Sequence, residues 1–179
     1  MAAISIIAIT VGFFSLFLPT FFALNHIANS SGLILLNLFI FSVMCIPAGA
    51  LADRINPLII LTVGSIGLLT FGSLFYIAIV YKLSYLVYIM CINSCFMGLA
   101  VGVASNYSCM LFEPSVRATG LGTVYNISFA IFNGAFLALA SLGIANGIML
   151  TPLYLSLGVV AMSLIILFAL RNVHQKTSI

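Results

Sequence analysis

Polar chemistry has few places to reside in this chain. Of 179 residues only seven are charged: Asp53, Arg54, Lys82, Glu113, Arg117, Arg171 and Lys176. Glu113 and Arg117 fall in the stretch Met110 to Gly134, MLFEPSVRATGLGTVYNISFAIFNG, where a charged turn feeds an apolar segment carrying Tyr125, Asn126 and Asn133. On a 3.6-residue period Asn126 and Asn133 lie within about 20° of each other on one helix face. An amide left without a partner in hydrocarbon costs several kcal/mol. That face is therefore expected to look at protein or water, as the wall of a polar path through a membrane does. Tyr125 beside it can hydrogen-bond a solute or anchor helix packing. There is no spaced carboxylate pair, Ser/His/Asp set or phosphate-binding loop, so no enzymatic activity and no cofactor is expected. His26 and His174, the near-neutral titrators, lie in a polar turn and a polar tail on opposite sides, where solvation is expected rather than proton relay. Cys91 and Cys95 share a helix face at i, i+4. With Cys45 and Cys109 they read as small apolar packing residues, not a metal site.

The elements that carry these residues follow from composition. The chain is 64% hydrophobic and 4% charged, against about 25% charged in soluble domains. Too few charges are present to cover a soluble surface, so an all-α, polytopic membrane protein is expected. A barrel is excluded by segment length and the lack of strict alternation. No basic run points to nucleic acid. Six apolar segments are expected to span the bilayer, at about 2–24, 32–52, 58–80, 85–105, 119–144 and 152–170, each near the ~20 residues required. They form one transmembrane domain over 1–179. Pro19 is expected to kink the first, and Asn56 followed by Pro57 predicts an N-cap and first helical residue for the third. The first segment has no charged leader region or cleavage site and reads as a retained span. Its abrupt start suggests a reading frame that begins inside something larger.

Six spans put both termini on one membrane side. Arg54, Arg117, Arg171 and Lys176 fall on that side and Lys82 on the other, which predicts cytoplasmic termini. Asn37 lies in the second span, Asn93 in the fourth, and Asn126 and Asn133 in the fifth, whereas the third and sixth carry no Asn, Gln or charge. The third and sixth are thus expected to be outer, lipid-facing helices. A 3+3 inverted repeat fits this pattern; plain interhelical amide packing is the alternative.

Two motifs carry a resemblance. Gly49-Ala50-Leu51-Ala52-Asp53-Arg54 resembles the G-x-x-x-D-R core of a cytoplasmic loop motif in the major facilitator superfamily, with Asn56 and Pro57 where the motif usually continues through Gly and basic residues. Gly49 permits close packing at the helix end. Asp53 suits the N-terminus of another helix, where free N–H groups and the dipole favour an anion. Phe112, Pro114, Arg117, Ala118, Thr119 and Gly120, then Tyr125-Asn126-Ile127-Ser128-Phe129-Ala130-Ile131-Phe132, resemble the loop and penultimate helix of metabolite:proton symporters, with proline/betaine transporters the nearest comparison. Relatives continue with Gly-Gly and a Pro, where this chain has Asn133-Gly134-Ala135-Phe136-Leu137.

The resemblance implies helices seven to twelve of a twelve-helix secondary transporter. It further implies a small-molecule solute and a proton as substrates, a bacterial inner-membrane location, and a partner half or second copy beside the lipid bilayer. Its implied substrate path is lined by Tyr125, Asn126, Asn133, Asn93 and Asn37; its cytoplasmic loop motifs are carried by Gly49, Asp53, Arg54, Pro114 and Arg117. No span holds an ionisable side chain well inside the membrane, which a proton-coupled carrier needs. A non-transporting scaffold of the same fold, and a homodimeric six-helix carrier or channel, are the rival readings.

Overall fold

The computed structural model describes residues 2–27, 29–110 and 112–177, and every regular element among them is helical. In chain order these are α1 (Ala2–Val11), a π-helical segment (Gly12–Phe17), α2 (Leu18–Leu24), α3 (Ser30–Ala52), α4 (Pro57–Val80), α5 (Leu86–Met110), α6 (Arg117–Ser128), a second π-helical segment (Phe129–Asn133), α7 (Gly134–Ala145) and α8 (Thr151–Thr177). The runs Ala2–Leu24 and Arg117–Ala145 are each continuous through their π segment, so the helical runs number six. Four of them, Ser30–Ala52, Pro57–Val80, Leu86–Met110 and Arg117–Ala145, are long and apolar enough to cross a membrane, and Thr151–Ile166 is a shorter apolar stretch. This is consistent with a membrane-embedded protein. The runs track the predicted segments closely. The differences are that α5 continues past residue 105 to Met110, and that the polar tail from Arg171 stays helical through Thr177.

Local chemistry sets the helix ends. Asn56 caps α4, its side chain accepting a hydrogen bond from the Leu58 N–H at 2.9 Å, with Pro57 at the first turn, as the Asn-Pro pair predicts. Three other ends close with a left-handed residue and paired carbonyls. His26 (φ 52°), Lys82 (φ 51°) and Gly147 (φ 85°) occupy the turn. The next N–H in each case reaches back five residues: Ile27 to Phe22, Leu83 to Ala78 and Ile148 to Gly143. These are Schellman turns, which satisfy the orphan carbonyls of a helix end. Pro19 lies in the first turn of α2, directly after the first π segment. A proline lacks the N–H and clashes with the carbonyl four residues back, and widening the preceding turn accommodates both. Pro47 sits inside α3.

Packing is organised on α5, whose main neighbours are α4 and α3. Small residues let the backbones approach. A Cβ on Gly64 would lie 2.7 Å from the Ala100 backbone nitrogen, one on Gly98 2.6 Å from the Met44 Cβ, and one on Gly102 3.1 Å from the Ala48 Cβ. Membrane helices associate through such contacts because lipid supplies no hydrophobic drive between them. The first run packs on α8, α5 and the second π segment, and α4 packs on α8. The Ser5 and Ser163 hydroxyls, 2.9 Å apart and buried, join α1 to α8. Aromatic edges fill the centre: Phe17 on Phe136 at 6.2 Å, Phe21 on Tyr76 at 6.2 Å and Phe22 on Phe75 at 6.4 Å. α3 and the α6–α7 run bury far less of themselves than α4 or α5. α4 leaves one stripe exposed, Ile59, Val63, Ile66, Thr70 and Leu74. Its one hydroxyl, on Thr70, is returned to the helix at the Ile66 and Gly67 carbonyls, 3.1 Å each. An apolar stripe at helical spacing with its polar group self-satisfied suits a hydrocarbon surface.

Candidate functional site

The five residues assigned to a polar path fall into separate settings. Asn37 of α3 is fully buried and its Oδ1 accepts a hydrogen bond from the Ser94 hydroxyl of α5. Ser94 Oγ also lies 2.7 Å from the Met90 carbonyl of its own helix. Among the described residues the Asn37 Nδ2 has no partner. Asn93, one residue earlier on α5, points elsewhere. It too is fully buried, and among the described residues neither its Oδ1 nor its Nδ2 finds a hydrogen-bond partner. It lines a cavity of about 40 Å³ together with Thr10 of α1, Gly72, Ser73 and Tyr76 of α4, and Ser156 of α8, and with apolar neighbours.

Asn133 is the last residue of the second π segment, which opens three residues after Asn126. A π turn takes an extra residue, which shifts the helical phase by about 100°, so their seven-residue spacing no longer returns to one face. Asn126 is exposed, whereas Asn133 is half-buried with its Oδ1 buried and unpaired. That oxygen abuts Gly12, the first residue of the other π segment, and any Cβ at Gly12 would collide with it. A side chain at position 12 would therefore have to displace the Asn133 amide where the first run crosses the fifth. Tyr125 is half-buried and stacks on Phe129, centroids 5.1 Å apart and planes 14° apart. Asn126 thus lies on the open side of α6 with exposed Gly122 and Thr123, Tyr125 packs at the edge of the core beside it, and Asn37, Asn93 and Asn133 are turned into helix contacts.

The charged turns are exposed. Gly49 has no heavy atom within 4 Å of a Cβ built on it. The close approach it permits is not used within the chain, because that side of α3 has no neighbour there. Asp53 is the C-cap of α3, and Arg54 follows it in the turn. Glu113 and Pro114 lie in the turn before α6; Arg117 opens α6 and its Nη2 donates to the Phe112 carbonyl at 3.5 Å. Asp53 and Arg117 both occupy the helix end whose dipole repels their charge. His26 is exposed in its turn, and the side chain of His174 lies outside the described residues. All four cysteines are free and half-buried. Among the described residues no cluster of His, Cys, Asp and Glu could hold a metal ion.

Sequence reasoning did not find the hydroxyl cluster around Asn93. The available signal was the set of hydroxyls in mid-span, Thr10, Ser73, Tyr76 and Ser156. Nothing in their spacing reveals that three different runs bring them together around Asn93 of a fourth. Comparison with protein-family models, with curated proteins and with solved structures finds no match for the chain.

Proposed function

We propose that the chain is the carboxy-terminal half, or a truncated product, of a secondary active transporter of the major facilitator type, a solute:proton symporter resembling proline/betaine transporters. In this reading six runs cross a bacterial inner membrane with both termini in the cytoplasm. The solute path runs along the open side of α3 and α6, past Tyr125 and Asn126.

The observation that carries the reading is the set of packing neighbours. With the helical runs numbered one to six, the pairs whose backbones approach one another are one–two, one–four, one–five, one–six, two–three, two–four, three–four, three–six, four–five and five–six, while runs one and three meet through side chains, Phe21 on Tyr76 and Phe22 on Phe75. Exchanging one with four, two with five and three with six returns the same set of backbone pairs. A chain made of two equivalent triplets has this property. Three spans per triplet insert the second upside-down relative to the first, the arrangement of an inverted repeat. The low burial of runs two and five suits helices that await a partner on their open sides. Asp53 and Arg117, each at the helix end its own dipole disfavours, suit charges whose partners lie on another half.

The test is expression of the chain alone and together with an amino-terminal six-helix half, followed by mass measurement in mild detergent and uptake of labelled betaine and proline into proteoliposomes under a proton gradient. The chain alone is expected to insert without transporting, and the pair to transport. Asn126→Leu is expected to lower uptake by the pair with normal expression. A monodisperse monomer that takes up solute alone refutes the need for a partner. A folded pair that moves no solute under any imposed gradient refutes the transport reading and favours a scaffold.

A further inference from the structure

We infer that the cavity between the first, third, fourth and sixth runs is a built water site, holding two or three ordered waters on the side chain of Asn93. Asn93 is fully buried, and both of its amide atoms lack a protein partner among the described residues. An unpaired amide inside a low-dielectric protein costs several kcal/mol. A cavity of about 40 Å³, mostly apolar in its lining but carrying the Asn93 amide and the hydroxyls of Thr10, Ser73, Tyr76 and Ser156, exceeds the roughly 10–15 Å³ that one water requires.

The lining chemistry suits water. The Ser73 hydroxyl donates to the Leu69 carbonyl and the Ser156 hydroxyl to the Leu153 carbonyl, the latter at 2.9 Å. Their protons are committed to their own helices, which leaves oxygen lone pairs as acceptors. Tyr76 and Ser156 are hydrogen-bonded to each other. A group is therefore needed that accepts from Asn93 Nδ2 and donates onward to those hydroxyl oxygens. Water does both. A second water donates to Asn93 Oδ1, the atom that lies 3.5 Å from where a Gly72 Cβ would stand. Glycine at 72 keeps that oxygen uncovered. The same hydroxyl and amide oxygens would also accept a sodium ion, but among the described residues no charged side chain lines the cavity to offset the ion's desolvation.

The site also explains why Asn93 is separate from the open face. It lies where run one meets run four and run three meets run six, inside the bundle.

Hydroxyl-radical footprinting of the full chain in lipid nanodiscs tests this, because radicals generated from bound water modify the side chains that touch it. Tyr76 and Phe75 are adjacent and both almost fully buried, at 4% and 0% exposure, but only Tyr76 lines the cavity. Tyr76 is expected to be modified several-fold faster than Phe75 after correction for intrinsic reactivity, and Asn93→Leu is expected to remove the difference. Equal rates at the two residues in the native chain overturn the site, whether or not the variant folds. Persistence of the difference in a folded Asn93→Leu chain overturns the role of Asn93. Modification of Tyr76 that changes when sodium chloride is replaced by N-methylglucamine chloride assigns the cavity to the cation and overturns water as its occupant.

Discussion

Gly64 offers the sharpest measurement of how the bundle is held together. It lies on α4 where that helix meets α5, the most extensive contact in the molecule. A Cβ there would stand 2.7 Å from the Ala100 backbone nitrogen and 2.9 Å from its Cα, against 3.4 Å for the start of ordinary contact. The shortfall is about 0.7 Å, and the obstructing atoms are backbone, so no rotamer change relieves it. Gly64→Ala must push α4 off α5 by that order, loosening the packing of buried Leu61, Leu68, Met97 and Ala100. Overpacking of this kind costs about 1–3 kcal/mol, while alanine returns about 1 kcal/mol of helix propensity. The net expectation is a loss of up to about 2 kcal/mol. Gly122→Ala is the matched control, since nothing lies within 4 Å of its Cβ position; it keeps the propensity gain alone. Reversible unfolding in mixed micelles of increasing SDS fraction, followed by a tertiary-structure signal, gives both values. If Gly64→Ala is as stable as Gly122→Ala, the close approach of α4 and α5 is not a source of stability and the reasoning fails.

Other outcomes follow from single contacts. Lys82 adopts a left-handed conformation at the end of α4, which disfavours a side chain by roughly 1 kcal/mol, so Lys82→Gly should raise stability in the same titration by about that much. Asn56→Ala removes the cap on the Leu58 N–H and should cost about 1 kcal/mol. Ser94→Ala should destabilise by about 1–3 kcal/mol by orphaning the buried Asn37 Oδ1, whereas Asn37→Leu should cost less, because the Ser94 hydroxyl still donates to the Met90 carbonyl. The double variant should lose less than the sum, and full additivity would show that the Asn37–Ser94 bond is not formed. Cysteines placed at Asn29 and Ser115 report orientation: an impermeant thiol reagent added outside intact cells should label the first and not the second.

Much of the fold was legible in the sequence because hydrocarbon is a demanding solvent. Near-absence of charge, apolar runs of spanning length, and Asn56-Pro57 at a helix start are local properties. They recur in the structure at nearly the predicted positions, since backbone groups in lipid can be satisfied only within a helix. The exposed turns around Asp53, Arg54, Glu113 and Pro114 were readable for the same reason. Side-chain direction was not. A single π turn between Asn126 and Asn133 separates two amides that regular spacing would align, and the wide turn forms where the fifth run crosses Gly12 of the first. Asn93 and Ser94 are neighbours in sequence, yet one faces the internal cavity and the other pairs with Asn37 on α3. The choice depends on which helix lies on each side of α5. Composition and local pattern determined that this chain is a set of long apolar helices with charged turns. Only the tertiary packing decided which of its amides meet one another, which meet a cavity and which remain open, because those outcomes depend on contacts between residues far apart in the chain.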